Sequence, residues 1–488
     1  MKYFLAIDLG TTGCRSMVFD EKLCLCGSQY EEYGLIAPRA DWYEQDANLW
    51  WELSCRTMTA AMDKAEIDPK SVRSISISSQ GISIVPVDAN FTPLRPALSW
   101  MDVRAKAEAQ LVIDTLGAQE TYTLTGKKPR PSYSLPKFLW IKNHEPEIWA
   151  KTVKMLMPLD FLTAKLTGNA YTDPSMASGT LMYDIHNEVW HEPTLKAFDI
   201  PLSMMPEIRP CGSSAGTVLP EVADMLGLSH DCLVAVGAQD QRCAALGAGL
   251  DEGTVTVSLG TAAAICMLWH ECDTVGNTAV GWSPYVYPQT WVTEGVVGTA
   301  GAALRWLRDT VYPNEAYSVI DYEAAEARAR DTQVIFLPYL NGSPYIRHGG
   351  AASGTFQGLS LAATRGDFAN AVMEGVAFQT AEILSLMKPE GGIEKLILFG
   401  GGAKSALWQQ IFADATGREI LVPEMAEAAG AGAAILAGVG SGDFDLNDLP
   451  ETRFAASTKP GPLHEQTQVR YKQYLKLSAC LAKGMKEE

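Results

Sequence analysis

No stretch of this 488-residue chain approaches the roughly 18 consecutive apolar residues of a membrane helix, and the opening MKYFLAIDLG breaks its apolar run at Asp8. Neither a membrane span nor a secretory leader is expected. Cysteine is scarce. Ten in 488 residues are too few for a disulfide framework, and Cys24-x-Cys26 and His270-x-Cys272 lack both C-x-x-C spacing and a matching second pair for zinc. Reduced thiols in a cytoplasmic protein are the expected state. Basic residues are in deficit, 39 against 57 acidic, for a formal charge of −18, which works against binding nucleic acid or an acidic membrane. There is no G-x-x-x-x-G-K-[ST], because Gly126-Lys127 has neither the upstream glycine nor the hydroxyl residue, and no G-x-G-x-x-G opens a helix. P-loop and Rossmann readings drop out. Gly212-Ser213-Ser214-Ala215-Gly216 does match G-x-S-x-G, but Pro206 and Pro210 precede it without a leading strand, so a surface loop is expected and not a nucleophile elbow.

What is present reads as an ordinary globular protein, 47% hydrophobic and 20% charged, long enough for two to four domains at roughly 100–200 residues each. Tyr3 to Ile7 runs into Asp8-Leu9-Gly10-Thr11-Thr12-Gly13 and then Met17-Val18-Phe19, a hairpin with a Gly/Thr-rich bend. The same shape returns at Val255 to Leu259, Gly260-Thr261, and the apolar run from Ala262 to Trp269. Two copies imply two related halves, divided near residue 245. Val72 to Ser79 alternates isoleucine with serine like a half-buried strand, with Ile82 to Val87 as its expected hairpin partner. Leu396 to Phe399 runs into Gly400-Gly401-Gly402 and a helix from Ser405 to Thr416. Asp46 is a helix cap candidate, Glu374 to Met387 a helix, Ala428 to Gly440 a closely packed one, and Pro193 to Pro220 an irregular connection. Alternating strands and helices throughout argue α/β.

Gly-Thr turns after strands can take phosphate oxygens, because consecutive N–H groups beside small side chains make an anion-binding concavity. One such turn is more often a plain hairpin; two, plus a triple-glycine turn, point to a polyphosphate. A carboxylate at the strand end, Asp8, is then a natural Mg2+ ligand. Asp240 follows the apolar run Cys232 to Val236 and precedes an Ala/Gly-rich stretch. It reads equally as a helix N-cap and as a carboxylate held rigidly for general-base work.

Together these residues resemble the FGGY-type carbohydrate kinases, within the actin and hexokinase superfold. The resemblance covers nearly the whole chain. It is carried by Asp8 to Gly13, Ser258 to Thr261, Trp42-Tyr43-Glu44-Gln45-Asp46, the signature Ser132 to His144 with Lys137, and a second signature from Gly354 through Asp367-Phe368 to Glu374. It implies two actin/hexokinase-like, ribonuclease H-like domains flanking a central cleft: 1–245 for sugar and the first phosphate loop, 246–488 for ATP. It also implies ATP and Mg2+ as cofactors, Asp240 as catalytic base, and Asp8 and Asp240 at the metal. Gly10, Thr11, Thr12, Gly260, Thr261, Gly401, Gly402 and Ser405 would bind the nucleotide.

The substrate expected is a small sugar or polyol, a ketopentose such as xylulose first, with glycerol, erythritol or ribulose types as the alternative. Gln80-Gly81-Ile82 stands where glycerol kinases carry Arg-Glu and xylulokinases Met-His, and Met101 replaces an Asn of the xylulokinase segment. Gln80, Trp100 and Asp102 are the pocket candidates, against the readings of a core tryptophan and a loop-capping aspartate. A non-catalytic nucleotide-gated binding protein is the rival from another class; intact Asp8 and Asp240 argue against it. A glycosidase lacks a suggestive carboxylate pair. A homodimer is left open.

Overall fold

A computed structural model describes residues 2–342, 352–387 and 392–484. The chain forms two compact units. One holds 1–247, 269–292 and 427–451; the other holds 248–268, 293–426 and 452–488.

The first unit is built on a six-stranded sheet, in the order Ser214–Thr217, Leu233–Gln239, Val72–Ser79, Tyr3–Leu9, Gly13–Asp20, Leu25–Glu32. The last three form an antiparallel meander, while Tyr3–Leu9, Val72–Ser79 and Leu233–Gln239 run parallel to one another. Parallel strands need crossovers, and the long intervening segments supply them. Helix Ala47–Lys64 packs on the meander and is capped by Asp46, whose side chain accepts from Asn48 N at 2.9 Å. On the sheet also lies the helix Ala428–Gly440.

That helix corrects one expectation. Val72–Ser79 is not half-exposed; Ser74, Ser76, Ser78 and Ser79 are all fully buried. Small side chains let the Ala/Gly helix approach closely, and Ser74 Oγ donates to Ala437 O at 2.6 Å. With parallel partners on both edges, the strand has no room for a hairpin mate. Val85–Val87 pairs instead with Lys154–Leu156. The section from Pro193 to Pro220 is also more ordered than expected, holding Glu207–Ile208 and the edge strand Ser214–Thr217. The G-x-S-x-G serine Ser214 therefore opens an edge strand and does not sit at a strand-to-helix turn, which leaves no elbow.

In the second unit six neighbouring strands run Trp291–Val297, Ala263–Trp269, Thr254–Leu259, Lys395–Phe399, Glu419–Pro423, Phe454–Thr458. Thr254–Leu259 is antiparallel to Ala263–Trp269 and parallel to Lys395–Phe399, which is parallel to Glu419–Pro423; the edge strand is antiparallel. The strand order of the first unit is thus repeated. Buried helices Arg365–Met387 and Ala406–Thr416 pack together, and buried ion pairs tie Arg470 to Glu374 and Arg328 to Asp414, each at 2.6 Å.

Candidate active site

The parallel register lines up three strand ends in the first unit. Asp8 lies opposite Ser78, and Ser79 opposite Gln239. Asp8, Gln80 and Asp240 consequently sit at or just past the carboxyl ends of three adjacent strands, the edge where open α/β sheets bind ligands.

Asp8 is partly buried and accepts from Ser78 Oγ at 2.8 Å. Burial pushes its carboxyl up to about 6, against the pull of Ser78 and Arg15. The turn after it is closed by Gly10 N on Gly13 O at 2.9 Å and braced from several sides. Tyr33 Oη donates to Gly10 O, Gln45 Nε2 to Thr11 O at 2.7 Å, and Trp100 Nε1 to Thr11 Oγ1 at 2.8 Å. Trp100 is 41% exposed, so it is no core tryptophan. Gln80 is buried, and its amide donates to Gln45 Oε1 at 2.9 Å. One chain of amides thus links Gln80 to the backbone of Thr11.

Asp102 is placed otherwise. It is fully buried, and its carboxylate accepts from Tyr43 N at 2.7 Å, Arg104 N at 3.0 Å and the Arg104 guanidinium at 2.8 Å. These contacts are those of a loop cap. Arg104 in turn lies over Trp42 at 3.9 Å and Trp140 at 4.9 Å and pairs with Glu44 at 2.9 Å. The Trp-x-Glu segment therefore closes around a buried guanidinium.

Asp240 begins the helix Asp240–Gly247 and is partly exposed. Its Oδ1 accepts from Gln241 N at 2.7 Å and from the Gln239 side chain. The helix is anchored against Ala428–Gly440 at backbone distance: a Cβ at Gly247 would meet Ala428 O at 2.0 Å, and one at Gly432 would meet Cys243 O at 1.9 Å.

In the second unit Gly260 and Gly400 follow the adjacent parallel strands Thr254–Leu259 and Lys395–Phe399. Gly400 has φ +91°, and a Cβ there would meet Leu259 O at 2.9 Å; a Cβ at Gly402 would meet the Leu259 side chain at 2.6 Å. Only glycine fits. Gly260 N bonds Ala262 O at 3.0 Å, and Thr261 O accepts from Ala300 N at 3.0 Å. Ser405 Oγ accepts from Trp408 N at 3.1 Å and so caps the helix Ala406–Thr416. The second Leu-Gly-Thr turn and the triple-glycine turn therefore share one strand-end rim.

Residues 3–247 match the N-terminal domain, and residues 255–441 the C-terminal domain, of the FGGY family of carbohydrate kinases. The chain belongs to this family. The xylulose kinase of Staphylococcus xylosus is 28% identical over 96% of the chain and 97% of its own length, and that of Staphylococcus epidermidis ATCC 12228 is 30% identical over 99% and 97%. Among solved structures, a xyloylose kinase from Brucella ovis superposes with a TM-score of 0.91 at 28% identity, covering 98% of this chain and 99% of that one. As an FGGY kinase the protein is an α/β phosphotransferase of the actin/hexokinase type that uses ATP to phosphorylate a sugar hydroxyl. No helix among the described residues is long and apolar enough to cross a membrane.

Sequence reading of this FGGY kinase missed Tyr33, Gln45 and Ser78, which hold the first turn. Gln45 stood inside the quoted Trp-x-Glu-x-Asp segment as a variable position; Ser78 is one serine in a run of alternating ones. Neither carried a signal without the strand register.

Proposed function

We propose that this kinase transfers the γ-phosphoryl group of ATP to a hydroxyl of a ketopentose, xylulose first, with Asp240 as the base. The observation that carries it is the alignment of Asp8, Gln80 and Asp240 on adjacent strand ends. The xylulose kinases that it resembles over almost their whole length support the substrate class. A polyol such as glycerol, or another ketose such as ribulose, is the second reading, favoured by the segment Gln80-Gly81-Ile82, where neither family pair of polar residues stands.

Asp240 takes the proton of the attacking hydroxyl. Its place at the helix start is fixed by Gln241 N on Oδ1 at 2.7 Å. The N–H groups of Gly10 and Gly260 close their own turns; in the first unit the backbone of Thr11 and Thr12, and in the second that of Thr261, Gly401 and Gly402, suits phosphate oxygens, with Ser405 on the nucleoside side. Such preorganised dipoles supply most of the acceleration in phosphoryl transfer. Asp8, its charge disfavoured by burial, suits a cation neighbour, so Asp8 with Asp240 would hold Mg2+, which supplies charge neutralisation of the polyphosphate when bound. Trp100 gives the sugar an apolar wall. We assign Asp102 the role of holding Tyr43 and Arg104 behind that wall. We assign the sugar side to residues 1–245 and the ATP side to 246–488, except that 269–292 and 427–451 complete the first unit. Ten cysteines in 488 residues, too sparse for a disulfide framework, support a reducing, cytoplasmic setting.

The test is Mg2+- and sugar-dependent ADP release across pentuloses, hexuloses, tetritols, pentitols and glycerol, with wild type and Asp240→Asn. A ketopentose signal reduced about 10²–10⁴-fold in the variant, with ATP binding intact, is expected. A dominant signal from a polyol replaces the substrate; an active Asp240→Asn removes the base.

A further inference from the structure

Asp240 depends on how firmly the end of the strand Leu233–Gln239 is held. On its outer edge that strand pairs with Ser214–Thr217 only as far as Ala235, and two last bonds join Val236 to Ser213 O at 2.9 Å and to Gly212 N at 2.8 Å. Three residues further on, the N–H of Gln239 finds no pairing from Ser214–Thr217 on that outer edge. It donates instead to Ser175 Oγ at 3.0 Å. The Ser175 hydroxyl donates to Asp173 Oδ1, which also accepts from Ser175 N at 2.7 Å and caps the short helix Pro174–Ser178. Asp173 is fully buried and Ser175 is 5% exposed.

Resting on the assignment of Asp240 as the base, we infer that Asp173 and Ser175 are positioning residues that fix the backbone immediately before Asp240. The choice of residue types supports this. A neutral Asn or Ser would cap the helix as well as Asp does, and a buried carboxylate is costly. What the carboxylate adds is that it only accepts. The Ser175 hydroxyl must therefore point its proton at Asp173, which leaves its lone pairs for the Gln239 N–H. A hydroxyl free to rotate would satisfy that N–H only part of the time, and a base displaced by a fraction of an ångström loses rate steeply.

Steady-state kinetics of Ser175→Ala, Ser175→Thr and Asp173→Asn, on the full chain with the sugar that gives the strongest signal, test this. Melting temperatures and ATP affinity are recorded for each. Ser178→Ala is the control, since Ser178 is equally buried on the same helix but donates to Ser175 O at 2.9 Å and does not reach the strand. Ser175→Ala should lower kcat about tenfold or more while KM for ATP stays within about twofold, with Ser175→Thr restoring most of it. Asp173→Asn should fall between, since an amide oxygen keeps the acceptor but not the forced hydroxyl direction. Retention of full kcat by Ser175→Ala, or equal losses in Ser175→Ala and Ser178→Ala tracking their melting temperatures, would overturn the proposal. Asp240→Asn runs alongside: if it is active, the premise about the base fails and the proposal with it; if it is inactive while Ser175→Ala is normal, only the positioning role fails.

Discussion

Lys137 is the most consequential buried charge in the first unit. It sits on the helix Ser134–His144 with its side chain fully buried, donating to Ser99 O at 2.7 Å and Ile82 O at 3.1 Å. These carbonyls belong to the two segments that carry Trp100 and Gln80. Burial pushes the ammonium down from 10.5 to about 7, with Asp102 pulling it up and Arg104 pushing it further down. The gap corresponds to about 5 kcal/mol against the charged form, at about 1.4 per pH unit. Lys137→Met removes that cost but orphans two buried carbonyls, about 1–3 kcal/mol each. Below pH 7 the two terms offset, and the variant should lie within about 3 kcal/mol of wild type. Above pH 7 the folded lysine has lost its proton while the unfolded one keeps it, so wild-type stability rises with pH through this group up to about 10. The variant lacks the rise. Urea unfolding of both proteins from pH 6 to pH 9 should show the gap constant below pH 7 and then widening by about 3 kcal/mol in favour of wild type by pH 9. A gap that stays flat from pH 7 to pH 9 refutes a desolvated ammonium at this position.

Asp160 shows the opposite sign. Fully buried, accepting from Met157 N at 2.8 Å and pushed up to about 8 by burial, it keeps a proton that the unfolded chain loses near pH 4, so its contribution falls as pH rises from 4 to 8. Asp160→Asn should therefore gain on wild type by about 1.4 kcal/mol per pH unit across that window, and parallel pH profiles of the melting temperature would contradict this. Gly237→Ala places a Cβ 1.7 Å from Ile77 O, a backbone atom in the centre of the sheet; a loss of about 3 kcal/mol or more is expected, and a chemical unfolding midpoint equal to wild type would show that the strand can shift. Asp46→Ala removes the cap on Asn48 N and should cost about 1 kcal/mol in the same assay, without changing the sugar profile.

How far the sequence could be read depended on whether a feature was local. The hairpin at Tyr3–Asp20, its second copy at Thr254–Trp269 and the strand-glycine-helix at Lys395–Thr416 each state their structure in a few consecutive residues. The serines of Val72–Ser79 do not, because the same alternation describes a strand facing water and a strand facing an Ala/Gly helix. Only Ser74 Oγ meeting Ala437 O, 363 residues away, separates the two. Asp102 follows the same rule, since only the fold shows that its carboxylate meets Tyr43 N and the Arg104 guanidinium. The alignment of Asp8, Gln80 and Asp240 follows the same rule at larger scale. The three residues are far apart in sequence, and what brings them together is a parallel register that no one segment encodes. The repeat is what made the site legible nonetheless. A Leu-Gly-Thr turn placed twice at the end of the same strand of the same sheet order requires two copies of one architecture, and that architecture determines which other strand ends lie beside it.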